Sequence, residues 1–140
     1  MTEIKDPENT LILNITHGEV IIELLPDVAP NHCARIKELA REGVEVLVLN
    51  NHTIKPMDER AVIDVAQRSG AVVTLEEHQI AGGMGSAVAE VLAREYPVPM
   101  EFVGVEDDFG QSGKPDELIL HYGMGVGSII EKVNKVIKRK

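Results

Sequence analysis

From Val44 onward, short apolar runs of strand length alternate with segments of helical periodicity, and this alternation restricts the fold more than any other feature. Val44–Leu49, Ala71–Leu75 and Met100–Val105 read as buried strands. After the first, Asp58 is placed to cap a helix with apolar positions Val62, Ile63 and Ala66, ended by Gly70. After the second, the glycine loop Gly82-Gly83-Met84-Gly85 leads into a helix over Ser86–Glu95, stopped by Pro97 and Pro99. After the third, Pro115 opens a helix to Tyr122, and Ser128 caps a last helix that runs to the C-terminus. Strands that alternate with helices build an α/β domain around a largely parallel sheet.

The first part of the chain is patterned differently. Thr10–Thr16 and Glu19–Leu25, separated by His17-Gly18, have hairpin chemistry, and Val20-Ile21-Ile22 is apolar enough to be covered on both sides. Pro26-Asp27-Val28-Ala29-Pro30 breaks the second strand and starts a helix, in which Ala29, Cys33, Ile36, Leu39 and Ala40 recur at helical spacing. Gly43 supplies its left-handed stop. The segment Arg35–Val44 therefore joins an amphipathic helix end directly to a buried-type strand. The hairpin adds an antiparallel strand, so the sheet is expected to be mixed, with about five strands and helices on both faces. The 140 residues form one domain in this reading, 1–140.

Composition excludes several partners. The net charge of −9 opposes binding to nucleic acid or an anionic membrane as a general role. Five basic side chains nevertheless crowd the last nine residues, Lys132–Lys140, where they complement a helix C-terminus. Cys33 is the sole cysteine, which rules out an internal disulfide and points to a reducing compartment. No apolar run approaches the roughly 18–20 residues of a membrane span, and Met1–Glu8 is too polar for a signal peptide. A soluble, cytoplasmic protein is expected.

Candidate chemistry lies at the strand ends, where α/β sheets bind ligands. Asn50, Asn51 and His52 follow one strand, and Glu76, Glu77 and His78 follow another. Two histidines and a glutamate there approach a metal-like set, but their spacing imposes no ligand geometry, so no metal site is assigned. Gly83, Gly85 and Ser86 precede a helix whose free N–H groups attract anions, a candidate phosphate or sulfate site. The loop lacks the lysine and spacing of a P-loop, and close packing of the helix start against its sheet is the favoured account of its glycines. No serine sits in a nucleophile-elbow context, so no catalytic residue is assigned.

Two resemblances enter at this point. Asp6-Pro7-Glu8-Asn9-Thr10-Leu11, Gly18–Glu23, Pro26–His32 and Ala34–Leu39 resemble the opening hairpin and helix of a bacterial cyclophilin-type peptidyl-prolyl isomerase, over about 3–43. Asn51–Asp58, Val73–His78, Gly82–Glu90 and Phe109–Pro115 resemble the transketolase C-terminal domain, over about 38–140. Together they imply a chimera joined at Arg35–Val44, with 1–43 from one family and 44–140 from the other. The second resemblance implies a three-layer α/β/α sandwich with a five-stranded mixed sheet, its N-terminal strand antiparallel.

The functional expectation follows from what both pieces lack. Cyclophilin activity is implied to need an arginine and an aromatic-lined groove on strands that this chain replaces with Val44–Leu49. Transketolase chemistry is implied to use thiamine diphosphate and a metal held between two other domains. The chain is therefore expected to be a non-catalytic chimeric domain, not an enzyme, without cofactor or specific small molecule. The alternatives are self-association, such as a homodimer, through surface that other domains would cover, or weak anion binding at the strand ends.

Overall fold

The computed structural model describes residues 10–15, 18–23, 37, 41 and 43–140, in two compact units, Met1–Glu45 and Val46–Lys140. In the first unit, β1 (Thr10–Ile15) pairs antiparallel with β2 (Gly18–Glu23), with Thr10 opposite Glu23 and Ile15 opposite Gly18. The expected hairpin is present, and Gly18 belongs to its second strand rather than to the turn. Of the helix expected before Gly43, Lys37 and Arg41 are helical; its other positions, Cys33, Ile36, Leu39 and Ala40 among them, lie outside the described residues. Gly43 has φ 76°, the left-handed conformation that ends a helix.

Val44–Leu49 corrects the sequence reading. The run is extended in composition but forms no strand, and Val48 stands 63% exposed. A β-branched run becomes a strand only when a neighbouring edge takes up its backbone groups, and none of the described residues does so. The expected five-stranded mixed sheet is likewise not what the described residues form: they form two separate two-stranded sheets, one antiparallel and one parallel.

The parallel pair organises the second unit. Helix α1 (Glu59–Ser69) starts where Asp58 Oδ1 accepts the Ala61 N–H at 3.1 Å and stops at Gly70, φ 69°, whose N–H reaches Ala66 O at 2.8 Å. Strand β3 (Val72–Gln79) leads through a glycine loop to α2 (Met84–Glu95) and then to β4 (Met100–Val105), a βαβ unit in which β4 lies parallel to β3. Helix α3 (Pro115–His121) and α4 (Val126–Ile137) complete the chain. The α4 helix begins at Gly125 with no side-chain cap, so Ser128, expected to cap it, falls inside its first turn.

Alternation along the two strands sorts their side chains between two cores. Val72 and Met100 pack with Val62, Ala66, Val88, Val91 and Leu92 of α1 and α2. Val73, Leu75 and Val103 face the other way, against Met124, Ile129 and Ile119 from the α3–α4 segment. Helices thus cover both faces of the parallel pair. Between Leu75 and Gln79 the register slips against Val103–Val105, a bulge. Glu76, Glu77 and His78, expected in a loop beyond the strand, sit within β3 at this irregularity, where bulges re-aim side chains.

Candidate functional site

The bulge aims Glu76 at the start of α2. Its Oε2 accepts the Met84 N–H at 2.7 Å and its Oε1 accepts the Gly85 N–H at 2.8 Å. Free N–H groups at a helix start carry partial positive charge, and a carboxylate bound to two of them makes strong, charge-assisted bonds. The approach requires glycine. A Cβ on Gly83 would collide with Glu76 and with Gln79 O, and one on Gly85 would lie 2.6 Å from Thr74 Oγ1. Ser86 Oγ donates to Ile80 O at 2.6 Å and accepts the Gly82 N–H at 3.0 Å, while the Ile80 N–H reaches Val105 O at 3.0 Å.

This geometry revises the reading of Gly83, Gly85 and Ser86. The helix start does bind an anion, but the anion is the chain's own Glu76, and the Ser86 hydroxyl is spent on the loop backbone. The histidines are not brought together: His52 Nδ1 lies 2.7 Å from Thr53 Oγ1, and His78 Nδ1 lies 2.9 Å from Gln79 O, each beside its chain neighbour and exposed. Among the described residues no group of three His, Cys, Asp or Glu side chains could hold a metal.

Beyond β4 the chain makes a fixed loop. Gln79 Nε2 donates to Asp108 O at 2.6 Å, tying the end of β3 to it. The Tyr122 hydroxyl donates to Phe109 O at 2.9 Å and accepts the Gln111 N–H at 3.0 Å, and Asp108 Oδ1 accepts the Phe109 N–H at 2.8 Å. Asp107 takes φ 48°, the left-handed region that Asp tolerates. A cleft of about 350 Å³ opens beside this loop, lined by Phe102, Gly104, Asp108, Tyr122, Ser128 and Lys132 among others.

At the opposite end of β4, Glu101 is 6% exposed yet charged. Lys135 Nζ stands 2.9 Å from its Oε2 and Arg139 Nη1 2.6 Å from its Oε1, with Lys132 at 3.9 Å. The Lys135 hydrogen bond above all, and the Arg139 bond after it, hold this carboxyl below its ordinary range against the opposing effect of burial. The basic tail thus does more than complement a helix end. The signal in the sequence was a lone glutamate inside the apolar strand Met100–Val105.

Helices on both faces of a parallel pair, with a glycine loop latched by a glutamate, define an α/β domain of the kind the second resemblance implies. The family model for the transketolase C-terminal domain matches residues 29–129, and the chain belongs to that family. It is 45% identical over 104 residues to the 6-deoxy-6-sulfo-D-fructose transketolase subunit SqwH of Clostridium sp. (strain MSTE9), covering 74% of this chain and 32% of that protein. It is 32% identical over 128 residues to the 1-deoxy-D-xylulose-5-phosphate synthase of Acaryochloris marina (strain MBIC 11017), covering 90% of this chain and 20% of that protein. A solved structure of a split gene transketolase, described as an inactive beta4 tetramer, superposes with TM-score 0.74 at 40% identity over 79% of this chain and 36% of its own. The chain thus spans about a third or less of the length of the relatives it matches.

These relatives overturn the chimera. The family match starts at residue 29, inside the segment read as cyclophilin-like. A match of 128 residues to one synthase also runs straight through Arg35–Val44. Nothing in these relatives supports the cyclophilin resemblance. The expectation of a non-catalytic, non-enzymatic hybrid is corrected as well, because the relatives are named as transketolase subunits and a synthase.

Proposed function

We propose that this chain serves as the C-terminal domain of a transketolase-type enzyme and works with the sections that carry the rest of the catalyst. The family match over 29–129 carries this reading. It crosses the boundary between the two units at Glu45, which supports treating 1–140 as one domain of the enzyme. Group transfer then belongs to the assembled protein, and the role of this chain is to complete and support it. The loop of Gly83, Gly85 and Ser86 acts in this reading as an internal latch rather than a substrate site. Homo-oligomerisation belongs to the same proposal, favoured by the beta4 tetramer that the solved relative forms. A cytoplasmic location goes with it; among the described residues no helix is long and apolar enough to cross a membrane.

The test is a graft. Residues 29–140 of this chain replace the corresponding C-terminal part of the Clostridium subunit, and ketol transfer is measured in the assembled enzyme. Turnover close to that of the parent is expected. A hybrid that folds and assembles but transfers nothing would count against the proposal.

A further inference from the structure

Three of the chain's methionines meet at one place. Met57, Met84 and Met100 pack against the core formed by Val62, Ala66, Val88, Val91 and Leu92, and all three are half-buried. Met124 belongs to the other core and is 5% exposed. The first core thus carries its thioethers at the rim, and the second keeps its own inside.

Each of the three stands at the start of an element that builds the first core. Met57 directly precedes Asp58, the cap of α1, and its carbonyl accepts the Glu59 N–H at 3.0 Å. Met84 is the first residue of α2, its N–H bound by Glu76 Oε2 at 2.7 Å. Met100 opens β4 opposite Val72, and its carbonyl accepts from Arg139 Nη1 at 2.8 Å. At each position the backbone is committed to the fold and the side chain to the core. A thioether fills such a gap without a polar partner. A sulfoxide at the same place is polar, and burying it without a hydrogen bond is costly. Moving it out to water displaces the first residues of its own element.

We propose that Met57, Met84 and Met100 form an oxidation site through which hydrogen peroxide reversibly loosens the first core. A sulfur lone pair attacks one peroxide oxygen, and the S–O bond forms as the O–O bond breaks. The proton on the transferred oxygen passes to the leaving hydroxide, which departs as water. Sulfur is oxidised and the peroxide is reduced, and a thiol-dependent sulfoxide reductase returns the thioether. The effect is local: α1 and the start of α2 loosen while the core around Val103 and Ile129, with its buried Met124, holds.

Graded hydrogen peroxide treatment of the full chain tests this, with oxygen uptake mapped by peptide mass spectrometry and melting followed by circular dichroism. Both readouts are independent of the transketolase reading. Met57, Met84 and Met100 are expected to take up oxygen before Met124. The melting temperature should fall by about 5 °C or more as they do, and reductases acting on both sulfoxide epimers should restore it. The triple variant Met57→Leu, Met84→Leu, Met100→Leu conserves core volume. It keeps Met1 and Met124 and should lose the melting response. Oxidation of Met124 as fast as the other three, an unchanged melting temperature in the oxidised chain, a loss that the reductases do not reverse, or a triple variant as sensitive as its parent would each overturn the proposal.

Discussion

Glu76 Oε1 accepts the Gly85 N–H at 2.8 Å across nine residues of chain, and its second oxygen takes Met84 N–H at 2.7 Å. One side chain from the bulge of β3 thus supplies the cap that α2 lacks, since Gly83 at its N-cap has no side chain to offer. Glu76→Ala removes both bonds and leaves two helix-start donors without their acceptor. A loss of about 1–3 kcal/mol is expected in urea unfolding. The same variant opens the helix start to an outside anion. Phosphate should therefore raise the melting temperature of Glu76→Ala more than that of the parent protein. Equal shifts in the two proteins would mean that Glu76 does not block the site.

Two glycine-to-alanine changes should have opposite signs. At Gly85 the added Cβ lies 2.6 Å from Thr74 Oγ1 and 2.9 Å from Phe102 Cδ1, in a packed interior. Overpacking there costs about 1–3 kcal/mol. At Gly127, in the first turn of α4, the added Cβ meets nothing within 4 Å, so alanine gains about 0.5–1 kcal/mol by restricting the unfolded chain and favouring helix. Both are read from the denaturation midpoint, and the contrast separates close packing from intrinsic propensity.

The uncapped start of α4 has a dynamic consequence. Gly125 and Gly127 give its first turn little local stability, and the Ile129 N–H bond to Gly125 O is long at 3.2 Å. The amides of Ile129 and Ile130 should exchange with deuterium faster than those of Thr74 and Leu75, which lie in the paired part of β3. Equal protection at the two places would show that packing of Ile129 holds the helix start closed.

What could be read before the structure was local, and what could not was relational. Asp58, Gly70 and Pro115 mark helix limits through their own backbone chemistry, and the structure places those limits there. Val44–Leu49 has the composition of a strand, but composition does not supply a partner edge. The loop Gly82-Gly83-Met84-Gly85 advertises a free helix start, and only the bulge of β3 brings Glu76 to fill it. The partners of Glu101 lie 34 and 38 residues away, beyond any local pattern. Arg35–Val44 misled for the same reason in reverse. An amphipathic helix end, a glycine stop and an apolar run are common to many α/β proteins, so short matches on either side of such a segment do not establish a change of ancestry.

Glu101 gives stability a defined dependence on pH. Lys135 first, and Arg139 next, hold its folded carboxyl below the ordinary value of 4.5. A depressed folded pKa means that the unfolded chain takes up the proton first as the solution is acidified. The contribution is complete above the unfolded value and disappears as pH falls through the folded one. Glu101→Gln should therefore lower stability at neutral pH, where it strips Lys135 and Arg139 of their charged partner. The variant should also lose the part of the acid dependence that belongs to this group, so that the two unfolding curves converge toward low pH. Urea unfolding of both proteins from neutral to acid pH measures the difference directly, with the other carboxylates cancelling between them. Parallel curves across that range would mean that the Glu101 ion pairs contribute nothing that depends on its charge.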